Sequence, residues 1–146
     1  MGIPSWCRAA LRLWAVVITV AVVVPVASGI GAVSQTSTVD TKLVGTWTRK
    51  VTSADVKRTG GYGIPAGTVC KLTIKKSGAA HLACTNIGDF DGTIVPAGTN
   101  RVHINLGLSN PDVYRWRVSG RLLTFTKLQD VVGDRAAVMW GVWKRK

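Results

Sequence analysis

The sequence predicts an all-β domain, an eight-stranded antiparallel up-and-down barrel that follows an N-terminal signal or anchor helix. Three observations predict this fold class. Beyond residue 33, short runs of alternating apolar and polar residues are typical of strands with one buried face. Glycine-containing turns of hairpin length separate most of these runs. Eight such strands can close and leave no unpaired edge, with an open sandwich as the alternative arrangement.

The first part of the chain has the layout of an export signal. Arg8 and Arg12 precede an uncharged apolar run over residues 13–26, and small residues follow this run. We expect either a signal peptide that is cleaved between Ser28 and Ser34 or an uncleaved membrane anchor. In both cases the arginines stay in the cytoplasm, so the rest of the chain is expected to be secreted or extracytoplasmic.

The predicted domain boundaries follow from this layout. Residues 1–33 form the signal peptide or anchor, with residues 13–33 as the segment that would hold the protein in a membrane. Residues 34–42 are polar and are predicted to be a linker. Residues 43–146 form the barrel domain, which is large enough for one modest core.

Two cysteines of the predicted domain are expected to form a disulfide across a hairpin. With a three-residue turn over residues 76–78, the register places Cys70 opposite Cys84 and Leu72 opposite Leu82. Directly opposed positions are within disulfide reach, and an exported protein favours the bond. Two buried free thiols are the alternative, and the spacing fits no zinc site.

The other strands are predicted from the same alternation. A long loop over residues 52–67 follows the first strand, and residues 119–120 form the turn of a second hairpin that pairs Trp116 with Leu123 and Tyr114 with Phe125. Residues 86–92 are expected to be a turn. The remaining predicted strands are Leu43–Val51, Thr93–Val95, Arg101–Leu106 and Ala136–Lys144.

The charge is strongly positive. The chain has 19 Lys and Arg against seven acidic residues, for a net charge of +12. This excess indicates an anionic partner, either a cell-envelope polymer or a membrane surface, or serves solubility alone. We expect no nucleic acid, because the aromatic residues Tyr114, Trp116 and Phe125 are predicted to point inward, where they cannot stack on bases.

Catalysis, cofactors and metals have little support in the sequence. His81 and His103 fall on outward strand positions without an acid or nucleophile at a suggestive spacing. The run from Asp89 to Gly92 resembles the start of a calcium loop but lacks the glutamate twelve positions along. We therefore predict a protein that is not an enzyme and has no cofactor and no metal site. Asp130, Asp134 and Arg135 are expected to cap or bridge the final loop by local pairing at the surface.

The inward-facing residues form the candidate ligand site. They either fill the barrel or line a cavity for one small hydrophobic molecule, since eight strands permit both. The polar tips of Tyr114 and Trp116 favour a ligand, and the loop over residues 52–67, with Tyr62, would be the lid. The residues predicted to bind the ligand are Tyr62, Leu72, Leu82, Ile104, Tyr114, Trp116 and Phe125.

One short motif resembles a known family. Gly45-Thr-Trp47 on the first strand and Arg145 near the last are similar to the calycin superfamily, the lipocalin-like barrels, and to small secreted bacterial proteins of that type. The resemblance implies that Arg145 packs across Trp47 and closes the barrel base. This closure is structural in the family, so the resemblance implies a fold and no particular cargo. We expect the protein to be a monomer.

A second resemblance suggests a different class of function. Small secreted barrels that inhibit bacterial metalloproteases also carry one disulfide and a tryptophan on the first strand. They act through a flexible N-terminal segment, a part that residues 34–41 could play. A module that binds a macromolecule through its basic outer surface, as an inhibitor or an adhesion protein, is therefore the alternative function.

Overall fold

The computed structural model describes residues 38–107 and 112–146. The predicted signal peptide or anchor and residues 34–37 of the linker lie outside the described residues. The described elements, in chain order, are β1 (Gly45–Lys50), α1 (Ser53–Thr59), β2 (Val69–Ile74), β3 (Ala79–Cys84), β4 (Gly88–Pro96), β5 (Arg101–Leu106), β6 (Val113–Ser119), β7 (Leu122–Gln129), α2 (Gly133–Met139) and β8 (Gly141–Arg145). Neither helix in these two ranges has the length and hydrophobicity to cross a membrane.

The eight strands form a closed antiparallel barrel in sequence order, as predicted. Each strand pairs with the next, and β8 returns to pair with β1 through Trp47 opposite Arg145 and Thr48 opposite Lys144. Closure removes both free sheet edges, so the backbone groups of the first and last strands are paired.

Alternation along the strands gives the barrel one buried face. On β5, for example, Val102, Ile104 and Leu106 are buried while His103 and Asn105 are exposed. The largest fully buried side chains are Trp47, Trp143, Tyr114, Phe125, Leu43, Leu72, Ile74, Ile94, Ile104, Leu123, Met139 and Val51.

The cysteine hairpin has the predicted register. Cys70 lies opposite Cys84 with their Cα atoms 4.1 Å apart, and the two residues form a disulfide. Leu72 lies opposite Leu82. Gly78 has a φ of 85°, the left-handed conformation that the three-residue turn requires.

The predicted register of the second hairpin is wrong by two residues. Trp116 pairs with Phe125 and Tyr114 pairs with Lys127, and a bulge follows between Tyr114 and Val113. The loop is formed by residues 120–121, with Gly120 at a φ of 55°. A shift of two residues keeps every side chain on its predicted face, which is why Tyr114, Trp116 and Phe125 are still buried.

Two short helices occur where the sequence predicts a loop and the start of a strand. Residues 53–59 form α1 within the long loop, where Thr52 and Asp55 make a reciprocal capping box. Residues 136–139, predicted as the start of the last strand, belong to α2, and its residues 135–139 are all buried. A short apolar run fits a buried helix as well as a buried strand, and the run here packs against α1.

Residues 88–92, predicted as part of a turn, belong to the long strand β4. Leu82 lies opposite Phe90, and Ala80 lies opposite Gly92. At Gly92 a side chain would overlap the carbonyl oxygen of Asn105 on β5, so glycine allows the two backbones to approach closely.

The barrel has two different ends. The upper end is defined here as the one that carries α1, α2 and the β3–β4 turn over residues 85–87. The lower end carries the segments 38–44, 75–78, 97–100 and 120–121, which join or flank the opposite strand ends.

Candidate functional site

A cavity of about 410 Å³ lies at the upper end of the barrel, next to α2 and the β3–β4 turn. This volume is within the range of pockets that bind small molecules. The apolar side chains that line it are Ile64, Leu82, Ile87, Phe90, Leu106, Val132 and Val138. Polar groups enter the lining through Asp134 and Arg135 of α2.

The segment before β2 is fixed to α2 on one side of this cavity. The backbone N–H of Gly63 donates to Asp134 Oδ1 at 3.0 Å. A Cβ atom on Gly61 would lie 2.7 Å from Ala137 Cβ, closer than side chains tolerate. The absence of a side chain at Gly61 therefore allows this segment to pack tightly against the helix.

A buried polar network lies behind the cavity. Arg135 Nε is 2.6 Å from Asp112 Oδ2, and Arg135 Nη2 is 2.9 Å from Asp130 Oδ1. The Tyr114 hydroxyl donates to Asp130 Oδ2 in a short hydrogen bond, and Asp112 Oδ1 accepts from the backbone N–H of Ile104 at 2.9 Å. The network ties α2 to β5 and β6, so one wall of the cavity is held by ion pairs.

Burial raises the pKa of all three acidic groups in this network, and their neighbours either oppose or add to that shift. Burial raises the pKa of Asp112 to about 6, and this effect outweighs the nearby charge of Arg135. Burial alone would also raise the pKa of Asp130, but hydrogen bonds from Arg135 and Tyr114 bring it below its usual value. Burial and the hydrogen bond to Asp130 raise the pKa of Tyr114, so its hydroxyl remains a donor.

A second ion-pair cluster fixes the helices over the upper end. Arg49 Nη1 donates to the Val138 carbonyl at 2.7 Å, and Arg49 Nη2 donates to Asp55 at 2.7 Å. Arg58 donates to Asp55 and to the Trp140 carbonyl, with its guanidinium 4.1 Å from the centre of a Trp140 ring. These contacts attach α1 and the end of α2 to β1 and so cap the barrel.

The lower end is closed by the residue pair that the resemblance implied. The Arg145 guanidinium lies 4.5 Å from the centre of a Trp47 ring. Arg145 Nη2 donates to the carbonyls of Lys42 and Val44, at 3.0 and 3.3 Å. The indole N–H of Trp47 donates to the Leu43 carbonyl at 2.8 Å. Arg145 therefore joins the chain before β1 to the barrel.

A second cavity of about 390 Å³ lies at this lower end. Its lining includes Val39, Leu43 and Trp116 together with Asp40 and Arg101. Less of its lining is apolar than in the upper cavity, and it opens among the loops of the lower end.

The predicted ligand residues do not come together in one site. Leu82 lines the upper cavity and Trp116 lines the lower one. Tyr62 is 83% exposed, whereas its neighbours Gly63 and Ile64 line the upper cavity. The other four predicted residues have 0% exposure and line neither of the two cavities: Leu72, Ile104, Tyr114 and Phe125.

The environment of His81 differs from the sequence expectation. Its Nδ1 lies 2.8 Å from Asp91 Oδ1, and its Nε2 lies 3.9 Å from Asp89 Oδ2, both across the β3–β4 pair. The sequence does not reveal this contact, because the segment that carries both acids is predicted to be a turn. Each carboxylate approaches a different ring nitrogen, and no group of three side chains that could hold a metal ion occurs in the described part of the chain.

Sequence reasoning also missed several residues of the upper cavity. Ile87, Phe90 and Val138 line it, and Arg135 is buried there in ion pairs. A sequence signal existed for α1, since Thr52 and Asp55 have capping-box spacing. The burial of Arg135 had no comparable local signal.

Comparisons of this chain with protein-family models, with curated proteins and with solved structures found no match.

Proposed function

We propose that this chain is a secreted, lipocalin-like member of the calycin superfamily that binds one small hydrophobic molecule without chemical conversion. The observation that carries the proposal is the apolar cavity of about 410 Å³ at the upper end of the closed barrel. The proposed site is at the barrel mouth rather than in the middle of the barrel.

The lining of the cavity favours an apolar ligand. Leu82 and Leu106 come from the barrel wall, Phe90 from β4, and Val138 from the capping helix. Displacing water from such a lining contributes roughly 25 cal/mol for each Å² of apolar surface that becomes buried. The few polar groups, on Asp134 and Arg135, would orient the ligand rather than supply most of the affinity.

The closure of the lower end supports the family assignment. Gly45 has a φ of 139°, a conformation that favours glycine, and it lies beside the Arg145 side chain that covers Trp47. The glycine, the tryptophan and the arginine thus have the spatial arrangement that the calycin resemblance implies. This closure is structural, so it supports a fold family and does not specify a cargo.

A neutral apolar dye, N-phenyl-1-naphthylamine, provides the first test. We expect it to fluoresce when it binds the purified protein, and we expect Ile87→Trp to weaken binding at least tenfold by occupying the upper cavity. Thr99→Trp is the matched control, because Thr99 lines the lower cavity and is exposed. Equal loss in both variants, or no binding by the parent protein, would contradict the proposal.

Native mass spectrometry of protein from secreting cells tests the natural cargo. A bound mass of a few hundred daltons that is lost in Ile87→Trp and kept in Thr99→Trp would place a ligand in the upper cavity. A bound mass kept in Ile87→Trp and lost in Trp116→Leu would assign the site to the lower end instead, because Trp116 lines that cavity.

A further inference from the structure

The lower end of this barrel carries a cluster of basic side chains. The side chains of Lys42, Lys75, Lys76, Arg101, Arg121 and Lys146 at the lower end are all exposed. None of the six forms an ion pair with a carboxylate within residues 38–107 and 112–146. The lower end is therefore a surface with a large excess of positive charge.

The acidic side chains lie elsewhere. All seven acidic residues of the sequence are aspartates, and all fall within the described ranges. Asp55, Asp112 and Asp130 are held by buried arginines at the upper end, where Asp134 also lies. Asp89 and Asp91 flank His81 on the outer face of β4. This leaves Asp40 as the single carboxylate side chain of the lower end.

Apolar side chains are exposed among these basic residues. Leu122 follows Arg121 at the tip of the β6–β7 hairpin and is 43% exposed, and it pairs with Lys144, which is also exposed. Val95, at the lower part of β4, is 37% exposed. A surface with cationic side chains around protruding apolar ones matches a layer of anionic headgroups over hydrocarbon better than it matches a polyanion dissolved in water.

The chain order supports the same partner. The described chain begins at this end with Thr38, and the apolar run that is expected to enter a membrane during export precedes it by a short stretch of sequence. We propose that the lower end of the barrel is a peripheral membrane-binding surface for anionic lipid headgroups. This proposal is independent of the small-molecule site, which lies at the opposite end.

Vesicle binding by the Ser34–Lys146 fragment tests the proposal without the apolar leader. This fragment forms one compact unit with its own closed barrel, core and disulfide. We expect it to sediment with phosphatidylcholine vesicles that contain phosphatidylglycerol and not with pure phosphatidylcholine vesicles, and added NaCl should release it. Equal binding to both vesicles, or binding to neither, would refute the proposal.

Matched charge variants locate the surface. Lys75→Gln/Lys76→Gln should weaken binding roughly 10- to 30-fold, because each basic side chain near an anionic surface contributes about 1 kcal/mol. Lys50→Gln/Lys57→Gln removes the same charge from exposed positions at the upper end and should change binding less than about threefold, since charges beyond a Debye length of the surface are screened. Equal loss in both pairs would mean that net charge alone drives binding and would overturn the assignment to the lower end.

Leu122→Ser separates a membrane from a soluble polymer. It should weaken vesicle binding about fivefold by removing an inserted apolar side chain, and it should leave binding to dextran sulfate unchanged. Tighter binding to dextran sulfate than to the anionic vesicles, with no effect of Leu122→Ser on the vesicles, would assign the surface to an anionic polymer and refute the membrane proposal. Thermal unfolding of each variant checks that the barrel is intact.

Discussion

Replacing Arg145 by methionine tests whether the arginine closes the barrel. Methionine keeps an apolar stem that can still contact Trp47 but removes the guanidinium. The change deletes the hydrogen bonds to the carbonyls of Lys42 and Val44 and the contact of 4.5 Å with the Trp47 ring. We expect the protein to fold but to lose stability.

The magnitude follows from these contacts. The contact of a guanidinium with an indole ring is worth about 1 kcal/mol at a partly exposed site. A hydrogen bond from a charged donor contributes about 1.5 to 3 kcal/mol when buried, and less here because Arg145 is only half-buried. Together they predict a decrease of about 2 to 3 kcal/mol in the free energy of unfolding.

Urea unfolding followed by far-UV circular dichroism measures this loss. Arg121→Met is the matched control, because Arg121 is exposed and its side chain makes one hydrogen bond of 3.3 Å, to the Arg145 carbonyl. The control should change the unfolding free energy by less than about 0.5 kcal/mol. If the two variants were equally stable, Arg145 would not close the barrel, and the family argument would lose its main support.

Two further predictions concern the disulfide and the pH dependence of stability. Cys70→Ala/Cys84→Ala should lower the unfolding free energy by about 3 kcal/mol in urea titrations, because the bond closes a loop with a sequence separation of 14 and so lowers the entropy of the unfolded chain. No loss of stability would mean that the bond does not constrain the unfolded chain. Burial raises the pKa of Asp112 to about 6, so the folded state binds its proton more readily than the unfolded chain does. The contribution of this carboxyl to stability should therefore increase as the pH falls from 7 towards 5. The free energy of unfolding of the wild type should therefore rise relative to that of Asp112→Asn over this range. Parallel pH profiles for the two proteins would refute the raised pKa of Asp112.

The cysteine hairpin could be predicted in detail because independent local signals agree there. Alternation sets the buried face, Gly78 sets the turn, and the two cysteines restrict the register. In the β6–β7 hairpin, alternation also predicts the buried face correctly. It fits a turn at residues 119–120 as well as the observed turn at residues 120–121. A shift by two residues changes the partners without exposing an apolar side chain, so the sequence pattern does not distinguish the two registers.

The candidate site was harder to predict because its residues depend on contacts distant in sequence. Leu82 was identified from alternation, but Ile87 follows β3 in a turn, and Val138 lies on a helix. Arg135 resembles a solvated surface residue in the sequence. It is buried because Asp112 and Asp130 are brought to it by different segments.

The two ends of the barrel are held by different interactions, and this difference separates their proposed roles. At the lower end, Arg145 and Trp47 join the chain before β1 to the barrel. The basic loops of this end are therefore attached to a closed, fixed structure. At the upper end, two contacts fix α2. Its own Arg135 pairs with Asp112, and Arg49 of β1 donates to the Val138 carbonyl in its last turn. The upper cavity is lined in part by α2, whereas a membrane surface would contact the other end. Binding of the dye and binding of vesicles should therefore be independent, because neither proposed contact uses residues of the other.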